Sequence, residues 1–177
     1  MPRQTCSRRR LLLAALSLPA AAACPPALAA GQRRLSFHHT HTGEYLDLAY
    51  MEAGRYLPEA LAELNQLLRD FRSGEVHPID PGLFDLLYAL RSVTGNARPF
   101  EIISGYRSPQ TNEMLRRRGG GVARHSLHLE GRAIDIRLPG TGTARLRDAA
   151  ASLRRGGVGY YPRSDFIHVD TGRVRYW

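Results

Sequence analysis

A histidine and an aspartate seven residues apart, His128 and Asp135, have side chains of the types that bind a metal ion. From Ala133 onward polar and apolar residues alternate, which predicts a strand with one face in a core and Asp135 on the other face. Seven extended residues would span about 23 Å, so two ligands of one ion require the chain to fold back between them. Gly131 lies where this bend is needed, and a residue without a Cβ atom tolerates it.

A second alternating segment, Asp165–Asp170, offers a third ligand, His168, on the same strand face as Asp170. Two neutral imidazoles and one carboxylate leave the fourth position of a tetrahedral zinc ion open, which is the arrangement of catalytic zinc sites. The residues by themselves leave another interpretation open, in which His128 and His168 are core histidines hydrogen-bonded to nearby carboxylates.

Apolar periodicity and capping residues predict four helices beside these two strands. The helices span Pro58–Phe71, Asp80–Gly95, Pro109–Arg118 and Thr143–Arg155. Further strands are predicted at Leu35–His41, Glu44–Tyr50, Phe100–Ser104, Val158–Tyr160 and Val174–Trp177. Because helices and strands do not alternate regularly, the sequence predicts an α+β domain with a small, mostly antiparallel sheet and helices packed on one side.

Two local runs have structural explanations. His38, His39 and His41 lie at the turn of a predicted hairpin, and we interpret them as polar or hydrogen-bonding side chains there rather than as a metal cluster. The run Arg116–Gly121 ends a predicted helix, where cations are favourable and glycines stop the helix. A flexible flap beside the metal is the alternative for this run.

Three motifs carry a resemblance to a known family. In chain order they are Ser104-Gly105-Tyr106-Arg107-Ser108, then Ser126-x-His128-x-x-Gly131-x-Ala133-x-Asp135, then His168-x-Asp170. Together they resemble the zinc D-Ala-D-Ala peptidases and their hedgehog-like relatives, and the ending from Gly156 to Trp177 is most similar to the MepK-type periplasmic murein endopeptidases. The resemblance begins at about Leu35.

This resemblance implies one zinc ion per chain, held by His128, Asp135 and His168, within the fold of that superfamily. It also implies an endopeptidase that hydrolyses the peptide cross-links of peptidoglycan. Two alternatives stay open: a D,D- or L,D-carboxypeptidase on the same substrate, and a domain that binds cell-wall peptide without cleaving it.

Arg107 and Asp170 are the candidate catalytic residues. Arg107 lies between a predicted strand and helix, where its side chain can pair with a carboxylate or stabilise the oxyanion of an attacked amide. For the group that accepts a proton from water we expect Asp170, which shares a strand face with His168. Asp165, the alternative, would project to the opposite face of an extended segment. A role for Asp170 in holding the tautomer of His168 also stays open.

The first 29 residues have the pattern of an export signal. Arg8–Arg10 precede the apolar run Leu11–Ala23, and Ala27–Ala29 form a small-residue cleavage site. The arginine pair fits a twin-arginine signal, with a Sec signal as the alternative. We therefore expect residues 1–29 to be removed and residues 30–177 to form one zinc peptidase domain in the periplasm.

Cleavage at that site would also remove both cysteines, Cys6 and Cys24, and leave no thiol in the mature chain. A lipoprotein cleavage at Cys24 is the less favoured alternative, because alanine and proline flank it unfavourably. The formal charge would fall from +9 to +5, which suits an anionic cell-wall polymer. The arginines form no nucleic-acid-binding pattern. We expect a monomer with peptidoglycan as its partner, no nucleic acid, and no integral membrane segment after signal removal.

Overall fold

The computed structural model describes residues 31–119 and 122–177, so the predicted signal sequence, both cysteines and Gly120–Gly121 lie outside the described residues. The strands are β1 (Arg33–His39), β2 (Tyr45–Glu52), β3 (Arg55–Tyr56), β4 (Phe100–Ser104), β5 (Ala133–Arg137), β6 (Gly157–Tyr161), β7 (Phe166–Asp170) and β8 (Arg175–Tyr176). The α-helices are α1 (Pro58–Leu67), α2 (Pro81–Thr94), α3 (Pro109–Arg117) and α4 (Thr143–Leu153), and a 3₁₀ turn spans Leu127–Glu130.

The strands form one sheet in the order β3-β2-β1-β4-β5-β7-β6-β8. Neighbours are antiparallel except for the pairs β1–β4 and β6–β8, so the predicted α+β class and the mostly antiparallel sheet are confirmed. Eight strands make a larger sheet than the sequence predicted. One added edge strand, β3, is only two residues long and therefore too short to show an alternating pattern.

One face of the sheet and three helices enclose the hydrophobic core. Strands β5 and β7 contribute Ile134, Ile136, Ile167 and Val169, all fully buried, to a cluster that also holds apolar residues of α1, α2 and α4. These helices pack on one side of the sheet, as predicted. Helix α3 packs instead beside a loop, where the amide of Asn112 donates to the carbonyl of Ala123. The alternation leaves the opposite face of β5 and β7 for polar residues.

Among residues 31–119 and 122–177 there is no helix that is both long enough and apolar enough to span a bilayer. The predicted first helix ends at Leu67 rather than Phe71, because Leu68 leaves the helical conformation with ψ +11° and its carbonyl accepts from the backbone N–H of Tyr106. At the end of α3, Arg116 and Arg117 pair with Glu113 at 2.7 and 3.0 Å, which supports the structural interpretation of that arginine run. Its last two glycines lie outside the described residues.

The predicted hairpin joins β1 to β2 at a turn containing Gly43, whose φ is +75°. His39 is fully buried there, and its Nδ1 atom accepts from the backbone N–H groups of His41 and Thr42 at 3.3 and 3.4 Å. His41 stacks on Phe71 with ring centroids 4.2 Å apart. The histidine-rich segment is therefore a hydrogen-bonded turn.

The buried histidine makes the stability of the fold depend on pH. Burial lowers the pKa of His39 to about 4, whereas the pKa of an unfolded histidine is about 6.5. Because the unfolded state binds the proton more readily, the free energy of unfolding should decrease as the pH falls from about 6.5 to about 4. Denaturant unfolding of metal-free protein across this range measures the effect. His39→Gln should reduce the pH dependence, and an unchanged dependence would contradict the assignment.

Candidate metal centre

Strand pairing brings two of the predicted ligands side by side. β5 and β7 are antiparallel, with Asp135 opposite His168 and Ala133 opposite Asp170. Since the apolar residues between them face the core, the side chains of Asp135 and His168 share the other face of the sheet. The sequence predicted the alternation of each strand, and the pairing register places the two residues together.

His128 reaches the same place from the 3₁₀ turn. The hydroxyl of Ser126 accepts from the backbone N–H of His128 at 3.4 Å, and the turn ends at Gly131 with φ +65°. A Cβ atom at Gly131 would lie 2.2 Å from the carbonyl oxygen of Pro78. The backbone therefore folds back at the glycine identified from the sequence, for reasons of both conformation and space.

Three ligand atoms form a compact triangle. His128 Nε2 lies 3.1 Å from His168 Nδ1 and 3.3 Å from Asp135 Oδ1, and the last two atoms are 2.9 Å apart. A tetrahedral zinc ion with bonds of about 2.0–2.1 Å separates its ligand atoms by about 3.3 Å. The three residues are buried, and among the described residues they form a group able to hold a metal ion. Donor types and spacing fit zinc.

Hydrogen bonds behind each imidazole fix the ligating nitrogen. His128 Nδ1 is 2.7 Å from the carbonyl oxygen of Gly105, to which it must donate, and this leaves the lone pair of Nε2 for a metal. His168 Nε2 is 2.9 Å from Asp170 Oδ2, which leaves Nδ1 of that ring for the metal. Such outer contacts orient metal-binding histidines and raise their basicity.

The protonation of the group also suits metal binding. Burial lowers the pKa of His128 and favours its neutral form. Burial alone would raise the pKa of Asp135, but His128 and His168 outweigh burial and hold it well below its usual range. Burial alone would lower the pKa of His168, but Asp135 and Asp170 raise it. The two carboxylates beside His168 thus favour positive charge at this place.

Asp170 lies behind His168, on the side of the ring away from the ligand triangle. Its carboxylate is fully buried and accepts from the backbone N–H groups of Gly157 and Gly172 at 3.0 and 2.8 Å. It also receives two bonds from Arg175, at 3.1 and 2.7 Å. With these donors and His168 its acceptor capacity is filled. This placement favours the orienting role of Asp170 over the preferred role of proton acceptor.

Asp165, the other candidate proton acceptor, lies elsewhere. Its backbone has φ +52°, its side chain is exposed, and its carboxylate contacts Thr143 and, at 3.4 Å, Arg137. It is absent from the lining of the cavity at the ligand triangle. Its position before β7 turns it away from the metal group.

Arg107 lies in this cavity, as predicted. Its Nη2 atom is 3.7 Å from Asp135 Oδ2, and its Nη1 atom is 3.4 Å from Asn112 Oδ1. Its Nε atom is buried and has no hydrogen-bond partner among residues 31–119 and 122–177. The guanidinium is therefore largely buried with unused donors.

The loop that carries Arg107 is fixed at both ends. The Arg107 backbone N–H donates to the carbonyl of His128 at 3.1 Å. Asp70 Oδ2 accepts from the backbone N–H and the hydroxyl of Ser108 at 3.0 and 2.6 Å. Burial alone would raise the pKa of Asp70, but the hydrogen bonds from Ser108 and its neighbours lower it to about 2. The ionised Asp70 thus holds the loop against the turn after α1.

The cavity has a volume of about 390 Å³ and several walls that sequence reasoning missed. Beyond the predicted residues, its lining includes His125, Tyr161, Phe166 and Trp177. Trp177 Nε1 donates to Tyr161 Oη at 2.9 Å, and its ring lies 5.3 Å from that of His168. A Cβ atom at position 159 would lie 2.7 Å from the Trp177 ring. Gly159 was the sequence feature that could have indicated this close approach, but the residue it accommodates, Trp177, is distant in sequence.

Comparison with known proteins identifies the family. A family model described as Peptidoglycan L,D-endopeptidase MepK matches residues 27–177. The Escherichia coli (strain K12) peptidoglycan L,D-endopeptidase MepK is 45% identical over 176 residues, 97% of each chain. A Haemophilus influenzae protein, named a probable peptidoglycan L,D-endopeptidase MepK, is 47% identical over 147 residues, 82% of this chain and 78% of that protein.

A crystal structure of the Serratia marcescens L-Ala D-Glu endopeptidase ChiX aligns with 54% of this chain and 69% of that chain, at 21% identity and a TM-score of 0.37. The sequence matches, by contrast, cover the cavity, the ligand triangle and the three motifs, and they confirm the predicted resemblance. The chain belongs to the peptidoglycan L,D-endopeptidase MepK family.

Proposed function

We propose that this protein is a zinc-dependent endopeptidase that hydrolyses peptide cross-links of peptidoglycan. The observation that carries the proposal is the buried triangle of His128, Asp135 and His168 at an open cavity, in a chain of the MepK family. A triangle with three protein donors leaves the open position that distinguishes catalytic zinc sites from structural ones.

The three ligands would hold one zinc ion per chain through His128 Nε2, Asp135 Oδ1 and His168 Nδ1. A zinc ion in such a site polarises the scissile carbonyl and makes water a better nucleophile at neutral pH. The bonds from Gly105 and Asp170 keep each imidazole in its ligating tautomer, which pre-organises the site before metal or substrate arrives.

Arg107 acts on the substrate in this proposal. Its unused guanidinium donors and its position beside Asp135 suit the oxygen of the attacked amide, which gains negative charge as the bond is cleaved. A carboxylate of the peptide is the other ligand that suits a guanidinium fork. Asp170 takes the orienting role, since its acceptor capacity is already filled.

A chelator-controlled digestion tests the function. Purified residues 30–177 should convert cross-linked muropeptides into smaller peptides, stop when a chelator is added, and resume when zinc is restored. An endopeptidase releases two peptide-bearing fragments, whereas a carboxypeptidase releases one terminal amino acid. Binding without a product would support a non-catalytic domain. If no divalent metal yields a chelator-sensitive product, the proposal fails.

Export to the periplasm is part of the proposal. It is supported by the arginine-led apolar segment within residues 1–29 and by the names of the relatives, which are peptidoglycan endopeptidases. The mature enzyme would be residues 30–177, acting as a monomer on the cell wall. Zinc as the resident metal rests on the donor set, which other borderline divalent ions also accept.

A further inference from the structure

Arg175 makes two hydrogen bonds to the carboxylate of Asp170. Two guanidinium nitrogens of Arg175 lie 3.1 and 2.7 Å from the two carboxylate oxygens of Asp170, in the paired geometry that suits this side chain. Asp170 is fully buried, whereas the Arg175 side chain is 30% exposed. Arg175 therefore neutralises a carboxylate that would otherwise be costly to keep ionised in the protein interior.

The same carboxylate oxygen faces both Arg175 and a metal ligand. Asp170 Oδ2 is 2.7 Å from Arg175 Nη2 and 2.9 Å from His168 Nε2. The opposite nitrogen of His168 belongs to the ligand triangle. A continuous chain of contacts thus leads from a residue of β8 to the metal group.

We propose that Arg175 is a positioning residue of the metal centre, which holds the Asp170 carboxylate in place so that Asp170 orients His168 for metal binding. This inference rests on the metal site of the proposed function and adds a residue outside that site's motifs. Arg175 also lines the cavity, but in this role it contacts Asp170 and not the three ligand atoms.

The surroundings of the pair leave little freedom for it to move. A Cβ atom at Gly157 would lie 2.5 Å from Arg175 Nη1 and 2.6 Å from Asp170 Oδ2. On its outer side the guanidinium lies 4.9 Å from the centre of the Trp177 ring. The N–H groups of Gly157 and Gly172 and the guanidinium of Arg175 fix the position of the Asp170 carboxylate. The remaining contact of this carboxylate is with His168, whose ring it orients.

A merely structural role for Arg175 would be to fasten β8 to the sheet. Tyr176, the other residue of β8, provides the matched comparison because its hydroxyl donates to the carbonyl of Ala151 at 3.1 Å and its side chain takes no part in the metal group. Tyr176→Phe removes a fastening contact of β8 and leaves Asp170 untouched. Its zinc affinity should equal that of the wild type.

The test is a double-mutant cycle read by zinc affinity, measured by competition with a chromogenic chelator on folded protein. Arg175→Met should weaken zinc binding about tenfold, and Asp170→Asn about 10–100-fold, as is usual for groups that orient a ligand. In the Asp170→Asn background, Arg175→Met should change zinc affinity by less than about threefold, because the arginine acts only through that carboxylate.

Additive effects in the cycle would overturn the proposal, and so would unaltered zinc affinity in folded Arg175→Met. If Arg175→Met does not fold, the same cycle with Arg175→Lys decides, since lysine keeps the charge but not the fork. A loss of affinity that depends on Asp170 supports the proposal, and wild-type affinity overturns it. The readout is metal binding, so zinc-loaded wild-type protein without hydrolysis would end the proposed function but not this inference.

Discussion

Replacing Asp135 by alanine is expected to abolish zinc binding and peptide hydrolysis together. Asp135 Oδ1 is within 3.3 Å of both histidine ligand atoms and supplies the only carboxylate of the triangle. Loss of one of three protein donors should weaken zinc binding by more than the about 10–100-fold typical of an outer contact. Zinc content after dialysis and digestion of cross-linked muropeptides measure the two effects.

The folded state should survive this substitution better than it would in a structural zinc site. The core on the other face of β5 and β7 packs without any contribution from the metal group. Circular dichroism of the variant separates metal loss from unfolding. His41→Ala is the matched control, because His41 is an exposed histidine in the turn after β1. Full zinc content in Asp135→Ala would show that Asp135 is not a ligand of the metal.

Replacing Arg107 by alanine is expected to lower the rate of cleavage by about 100–1,000-fold while zinc stays bound, the usual loss when one donor to a developing oxyanion is removed. The reason is that Arg107 Nη2 approaches the metal group only as a neighbour of Asp135, at 3.7 Å, and is not one of its donors. Steady-state digestion of muropeptides, with zinc content measured on the same samples, tests both halves of this expectation.

Arg137→Ala is the control for a loss of positive charge on the same face of the sheet. Arg137 pairs with Glu101 and Asp165, outside the cavity, and ion pairs that solvent still reaches contribute little. Arg107→Lys should recover only part of the activity, since an ammonium group cannot reproduce the guanidinium fork. Wild-type cleavage by folded Arg107→Ala would remove this residue from the mechanism.

The alternation of residues in β5 and β7 was sufficient to assign Asp135 and His168 to one face of a sheet. A period of two follows from strand geometry alone and needs no knowledge of neighbours. Gly131 was predictable for the same reason, since a chain that must return over a short distance needs a residue without a Cβ atom. The residues of the three motifs and their order along the chain likewise predicted the family, which the comparisons confirm.

Which carboxylate does what was decided by the tertiary structure. Alternation places Asp170 on the same strand face as His168. Only the packing shows that the Asp170 carboxylate lies behind the His168 ring and already accepts hydrogen bonds from Gly157, Gly172 and Arg175. The contacts of the Asp165 side chain with Arg137 and Thr143, and the return of Trp177 over the cavity, likewise join segments far apart in sequence. The period of a strand and the position of a glycine are local properties of the chain. The hydrogen-bond partners of a carboxylate and the residues that line a cavity depend instead on which distant segments pack together.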